Sequence, residues 1–298
     1  MTHMRLLFHT ITILTLSALM FSGRGTAQQT INFDAVTITP HHVAGSVHYL
    51  EGQGGNIGLS VGSDGVVMVD DQFAPLTDKI VAAIRGLSQG DIRFLINTHV
   101  HGDHTGGNEN FGRMGIAILA HDRVRVRLAQ ATGRGGPAPA AALPILTFSD
   151  TATIHLNGEE VHVFGVPPAH TDGDSFIHFR GSNVLHLGDV FRTVAFPVID
   201  TNNGGTLDGT IAALGIAAGV AGPDTRIVPG HGVVSTRADV IEFRDMILVV
   251  KSRVSTLVAE GKTYEEVAAA GTTAEYEKKW GDPDRFLRAV YQQLGGTI

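Results

Sequence analysis

A chain of 298 residues, 43% hydrophobic, carries 29 acidic against 22 basic side chains, for a formal net charge of −7. It holds no cysteine, which excludes disulfides, thiol nucleophiles and cysteine-linked lipid and suits an oxidising compartment. An acidic balance with scattered lysines weighs against nucleic acid as a partner, and the apolar content is enough to bury a substantial core.

At the N-terminus, residues 1–27 hold a basic Arg5, an apolar run over 6–21 and then Gly25-Thr26-Ala27. That is the three-part layout of a secretory signal, with cleavage expected after Ala27. The run is short and broken by His9, Thr10, Thr12 and Thr15, which weighs against a membrane anchor. The expectation is a periplasmic or secreted protein with no stable membrane anchor after cleavage. Its mature part, residues 28–298, reads as one domain, undivided by a linker, charge block or short repeat.

Residues 36–38, 43–50, 57–61 and 66–69 show the β-branched alternation of half-buried strands. The glycine-rich stretch 52–58 reads either as a mobile hairpin or as an ordinary glycine turn. Asp70 and Asp71 close the last of these strands. A carboxylate there either accepts a hydrogen bond from a metal-ligating histidine or caps the following turn. Residues 76–87 have helical spacing, with Ile80, Val81, Ile84 and Leu87 on one face.

A short apolar run over 92–96 leads into Thr98-His99-Val100-His101-Gly102-Asp103-His104-Thr105-Gly106-Gly107. Four potential metal ligands in the pattern H-x-H-x-D-H are denser than any fold requires. Imidazole with carboxylate suits Zn²⁺, with Fe or Mn as alternatives, and the two glycines let the backbone turn tightly afterwards. Helical pattern follows over 108–115 and 122–130, with a strand over 116–120 between them. Arg123, Arg125 and Arg127 are spread around the second helix as a solvated face. Residues 131–144, rich in Gly, Ala and Pro, read as a long loop.

Strands are expected over 153–156, 160–165, 175–179 and 183–187. Three further candidate ligands come at the ends of apolar runs beside glycine or proline, a placement that projects each into a shared cleft. They are His170 in Pro167-Pro168-Ala169-His170, Asp189 in Leu187-Gly188-Asp189, and His231 in Pro229-Gly230-His231-Gly232. His155, His162, His178 and His186 lie within strands and read as surface or satisfied core residues. His41, His42, His48 and His121 show no partner pattern. Helices are expected over 207–218 and 238–258, the second capped by Thr236. Short helices over 263–294, anchored by Trp280, Phe286 and Tyr291, make residues from about 237 to 298 a helical extension.

The run from Thr98 to Gly107, with the three later positions, resembles the signature of the metallo-β-lactamase-fold superfamily over roughly residues 45–235. Two strand-rich blocks, each followed by helices and each ending in ligands, agree with the fold this implies. It is a four-layer αββα sandwich of the α/β class with metals at one edge of the two sheets. The resemblance further implies two Zn²⁺ ions. His99, His101 and His170 would hold the first and Asp103, His104 and His231 the second, with Asp189 bridging. Asp103 doubles as the catalytic group that orients the attacking water. Asp70 matches by position the family's aspartate behind a ligand histidine.

The implied reaction is the opening of a small cyclic amide of the β-lactam type by metal-activated water. Arg192 stands three residues after Asp189, the spacing at which the lactamases place a lysine for the substrate carboxylate. A surface salt bridge is the plainer role for it. Where those enzymes often carry a cysteine, this chain has Asp189, as in lactonases and thioesterases. A lactonase, esterase or thioesterase with the same metals is therefore the alternative. A non-catalytic zinc-binding protein is a third reading, and it leaves the bridging carboxylate unexplained. Asn202 and Asn203 either border the site or form a turn.

Overall fold

The computed structural model describes residues 31–130 and 136–298. The expected signal segment with its cleavage site, and residues 131–135 of the long loop, lie outside them. Seven strands form one sheet in sequence order: β1 (Thr39–Ala44), β2 (Val47–Glu51), β3 (Ile57–Gly62), β4 (Gly65–Val69), β5 (Ile92–Asn97), β6 (Ala117–His121) and β7 (Leu146–Phe148). The first four pair antiparallel, and β4 to β7 run parallel. The second sheet holds β8 (Thr151–Leu156), β9 (Glu159–Gly165), β10 (Ser175–Phe179), β11 (Val184–His186) and β12 (Arg226–Val228). Its order is β12-β11-β10-β9-β8, with β11 and β12 parallel.

Successive strand residues face opposite sides, and here they sort into three apolar layers. Val67, Val69 and Ile96 of the first sheet meet Val161, Val163, Ile177 and Val184 of the second. On the outer side of the first sheet, Val66, Met68 and Leu95 pack with Ile80 and Ile84 of α1 (Thr77–Leu87). Two short helices, α2 (Gly102–Thr105) and α3 (Asn108–Arg113), follow β5, and α4 (Asp122–Ala129) follows β6. Outside the second sheet, Phe176, Leu185 and Ile227 pack with Leu214 of α5 (Leu207–Val220) and with Phe243 and Ile247 of α6 (Arg237–Ala259). The result is the expected αββα sandwich.

The chain closes with α7 (Tyr264–Ala269), α8 (Ala274–Trp280) and α9 (Asp284–Gln293). Trp280, Phe286 and Tyr291 are buried there, as expected of packing anchors. No helix among the described residues is long and apolar enough to cross a membrane.

Two expected strands need correction. Residues 36–38 are not a strand. Val36 is tied into the preceding turn instead: its N donates to Phe33 O at 3.2 Å and its carbonyl accepts from the Lys79 ammonium at 2.7 Å, beside the Phe33 and Asp34 carbonyls at 3.0 and 2.8 Å. Residues 43–50 form two strands, β1 and β2, because Gly45 adopts a left-handed φ of 52° and reverses the chain. A Cβ at Gly45 would lie 2.4 Å from Oγ of Ser182, so the turn also needs glycine for space.

Candidate metal centre

Five strand ends deliver the candidate ligands to one edge of the sandwich. Asp70 follows β4, and Thr98-His99 follows β5. His170 lies between β9 and β10, Asp189 follows β11 and His231 follows β12. The short α2 carries Asp103 and His104. Gly106 ends this turn where a Cβ would meet Gly102 O at 2.4 Å and Gln72 O at 2.7 Å. Asp70 and Gln72 sit at φ of 62° and 55°. That conformation persists in non-glycine residues only where neighbours over-determine it.

For Asp70 the neighbours are Thr98 and His104. Its Oδ1 accepts from Thr98 N and its Oδ2 from Thr98 Oγ1, both at 2.7 Å. With its proton given to Asp70, Thr98 Oγ1 is left to accept from Nδ1 of His99 at 2.9 Å. Asp70 Oδ2 also accepts from Nδ1 of His104 at 2.7 Å. On the other side of the site, His101 Nε2 donates to Asp200 Oδ2 at 2.7 Å and His170 Nδ1 donates to Val198 O at 2.6 Å. These partners set which nitrogen turns inward: Nε2 of His99 and His170 and Nδ1 of His101 are bare lone pairs, and Nε2 is the inward nitrogen of His104.

The inward nitrogens converge. Among the described residues, ligand atoms lie within 4.8 Å of one another in three groups: His99-His101-His170, His99-His104-Asp189 and Asp103-His104-His231. His101 Nδ1 is 2.9 Å from His170 Nε2, and His104 Nε2 is 3.3 Å from His231 Nε2. Asp103 Oδ2 is 3.2 Å from His231 Nε2. Asp189 Oδ1 is 3.2 and 3.3 Å from Nε2 of His104 and His231, while its Oδ2 is 3.8 Å from Nε2 of His170. Nε2 of His99 and Oδ1 of Asp189 are buried without a hydrogen-bond partner. Lone pairs this close repel, and orphaned buried acceptors are costly. Divalent cations satisfy all of them at once, so these residues fit a metal centre.

Electrostatics divide the histidines: against the effect of burial, the carboxylates of Asp189, Asp70 and Asp103 raise His104 and His231, so a metal there would displace a proton. Burial depresses His99 well below its usual range and His170 to about 4, so both are neutral, ligand-competent imidazoles at pH 7. Burial opposes ionisation of Asp103, yet His231 and His104 bring it to about 2. Asp189 is likewise held well below the carboxylate range by His104 and His231, against the effect of burial. Asp103 is the most open of these acids, its side chain 31% exposed against 6% for Asp189.

A family model described as the metallo-beta-lactamase superfamily matches residues 50–231. This chain belongs to that superfamily. Its members are metal-dependent hydrolases. Solved structures show the same fold. A metallo-beta-lactamase from Pontibacter korlensis has a TM-score of 0.61 at 16% identity, over 71% of this chain and 99% of that one. DIM-1 metallo-beta-lactamase gives 0.59 at 17% identity, over 71% and 98%. The sec-alkylsulfatase Pisa1 from Pseudomonas sp. gives 0.68 at 16% identity over 89% of this chain. This chain spans 51% of that enzyme's length.

Within this superfamily fold, a hollow of about 580 Å³ opens beside His101, lined by Arg127, Leu128, Asp200, Asn202 and Asn203 among others. Arg127 is therefore not on a solvated face: Asp172 binds its guanidinium bidentately at 2.5 and 2.7 Å. Arg192 has a backbone bridge to His231. Its side chain lines a different hollow, of about 330 Å³, with Phe243 and Trp280 and with none of the seven candidate ligands.

The 52–58 stretch is pinned rather than overhanging. Gly55 N donates to Asp103 O at 3.1 Å, and Asn56 Nδ2 donates to Pro229 O and Gly232 O at 3.0 and 2.9 Å. His186 is a satisfied core residue, donating to Asn56 O at 3.1 Å. Sequence reasoning passed over Thr98, Asp174 and Asp200. Asp174, raised to about 7 by burial, accepts from Thr171 N and Oγ1 at 2.9 and 2.6 Å and shapes the turn after His170.

Proposed function

We propose that this chain is a two-zinc hydrolase that cleaves a neutral acyl substrate, an ester or lactone. The observation that carries the two-metal reading is the Asp189 carboxylate. One of its oxygens faces His104 and His231 at 3.2 and 3.3 Å, and the other turns to His170 at 3.8 Å. It spans the two ligand groups. His99, His101 and His170 would hold one ion and Asp103, His104 and His231 the other, with Asp189 between them. Zinc bound there supplies Lewis acidity and a water acidic enough to ionise near neutral pH.

The chain's own residues do the rest. Asp70 and Asp200 keep protons on the outward nitrogens, so the inward ones stay free to coordinate. Asp103, the most open of these acids, would also orient the attacking water. In the hollow beside His101 the guanidinium of Arg127 is committed to Asp172. That favours a neutral acyl group there over a carboxylate. Likeness in fold to the Pontibacter korlensis and DIM-1 enzymes favours a second reading, a cyclic amide of the β-lactam type.

The test is zinc content on the purified protein together with turnover of a phenyl ester, a γ-lactone, a chromogenic cephalosporin and a secondary alkyl sulfate. Two equivalents of zinc, with ester or lactone cleavage lost in chelator and restored by zinc, is the expected result. Cephalosporin cleavage alone moves the reading to the cyclic amide. Chelator-insensitive turnover overturns the metal mechanism.

A further inference from the structure

We propose that residues 196–206 form a strap that fixes the metal position of His99, His101 and His170 separately from the other, with Asp200 as its positioning residue. This rests on the two-metal reading above. The Oδ2 atom that accepts from His101 also accepts from Asn203 Nδ2 at 2.7 Å, while Asp200 Oδ1 accepts from the backbone of Asn202 and Asn203 at 3.1 and 3.2 Å. The Asn203 amide has two orientations. Arg127 Nη1, 3.2 Å from Asn203 Oδ1, selects the one that turns Nδ2 to Asp200. Arg127 is itself set by Asp172, whose backbone N donates to Asn203 O at 2.9 Å.

The same strap reaches the second histidine of that position. Val198 O takes the Nδ1 proton of His170 at 2.6 Å, and Asp200 N donates to His170 O at 2.9 Å. Thr206 N donates to Ala169 O at 2.8 Å. Its ends are tied to the C-terminal helices. Phe196 N donates to Trp280 O at 3.2 Å and its ring stacks on Phe286 at 5.6 Å. Gln293 bonds Leu207 N and Gly205 O at 2.7 and 3.3 Å.

The other position is supported from other segments of the chain. Asp70 holds His104, Gly55 holds the Asp103 carbonyl, and Asn56 holds the carbonyls on either side of His231. His99 is the exception, since Asp70 reaches it through Thr98.

The experiment titrates the metal-free full chain and its Asp200→Ala variant with Co²⁺, following d–d absorbance, with His101→Ala and His231→Ala as reference spectra. The native chain should bind two equivalents. Asp200→Ala should keep one and weaken the other by about 10- to 100-fold, the usual effect of removing a ligand's hydrogen-bond partner. Its residual spectrum should match that of His101→Ala. Arg127→Ala should weaken the same equivalent by less.

Should Asp200→Ala fail to fold, Asp200→Asn keeps the shape and one of the two acceptor oxygens, loses the charge and should weaken that equivalent alone. Equal weakening of both equivalents, no weakening, or a spectrum matching His231→Ala overturns the strap. A native chain that binds fewer than two equivalents overturns the two-metal reading instead.

Discussion

Each candidate ligand histidine has two nitrogens, and for four of the five the choice between them is made from behind the ring. Asp70, Thr98, Asp200 and the Val198 carbonyl each hold the outward proton. Because burial keeps His99 and His170 neutral, the same design shapes stability when metal is removed. Folded His170 refuses a proton until about pH 4, and burial moves His99 the same way. The unfolded chain accepts those protons near 6.5. Taken alone, His170 costs up to about 3 kcal/mol of stability as pH falls from 6.5 towards 4, while Asp174, raised by burial to about 7, favours the folded chain over the same range.

His104 does not offset this loss. Burial lowers its pKa, but Asp189 and Asp70 carry it well above 6.5, so its contribution is already complete below that value. Asp103 and Asp189, with depressed pKa values, begin to cost stability only as pH falls through about 3.8. In thermal melts of the chelated protein, the Tm of the native chain should move down relative to that of His170→Gln between pH 7 and pH 4.5. Equal changes in the two proteins would mean that the His170 imidazole is solvated.

At the scale of elements, the turn between β2 and β3 works as a floor beneath His104. A Cβ on Gly55 would stand 2.1 Å from Cε1 of His104, and that ring is fixed by Asp70 and cannot retreat. Gly55→Ala should cost about 1–3 kcal/mol of overpacking and the metal position that His104 serves. Urea midpoint and zinc content would show it. An unchanged midpoint with full zinc would mean that the turn moves freely.

The contrast with the ligands explains what the sequence can display. H-x-H-x-D-H is legible because its ligands crowd into one stretch, and His170, Asp189 and His231 because strand ends carry visible glycine and proline. Asp200 meets His101 across 99 residues of chain, and Arg127 meets Asp172 across 45. No local pattern marks such partners. The strand expected over 36–38 failed in part for the same reason: Lys79, more than 40 residues away, takes the Val36 carbonyl.

For the whole molecule, the seven candidate ligands divide between the two sheets. His99, His101, Asp103 and His104 follow β5 of the first, while His170, Asp189 and His231 come from the second. Bound metal therefore ties two layers otherwise joined by apolar packing, and helices beyond the matched residues 50–231 brace that edge through Phe196 and Gln293. An ion that binds only the folded chain stabilises it by mass action, about 2.7 kcal/mol at a free concentration of 100 times Kd. For a domain of this size that is a rise in Tm of roughly 5–10 °C. Calorimetry at pH 7 should show the zinc-loaded protein melting at least that far above the chelated one. Its Tm should climb with the logarithm of free zinc, because the ligands assemble only when both sheets are in place. A melt indifferent to zinc would mean that the edge is rigid without the ions and that the two sheets are coupled by their packing alone.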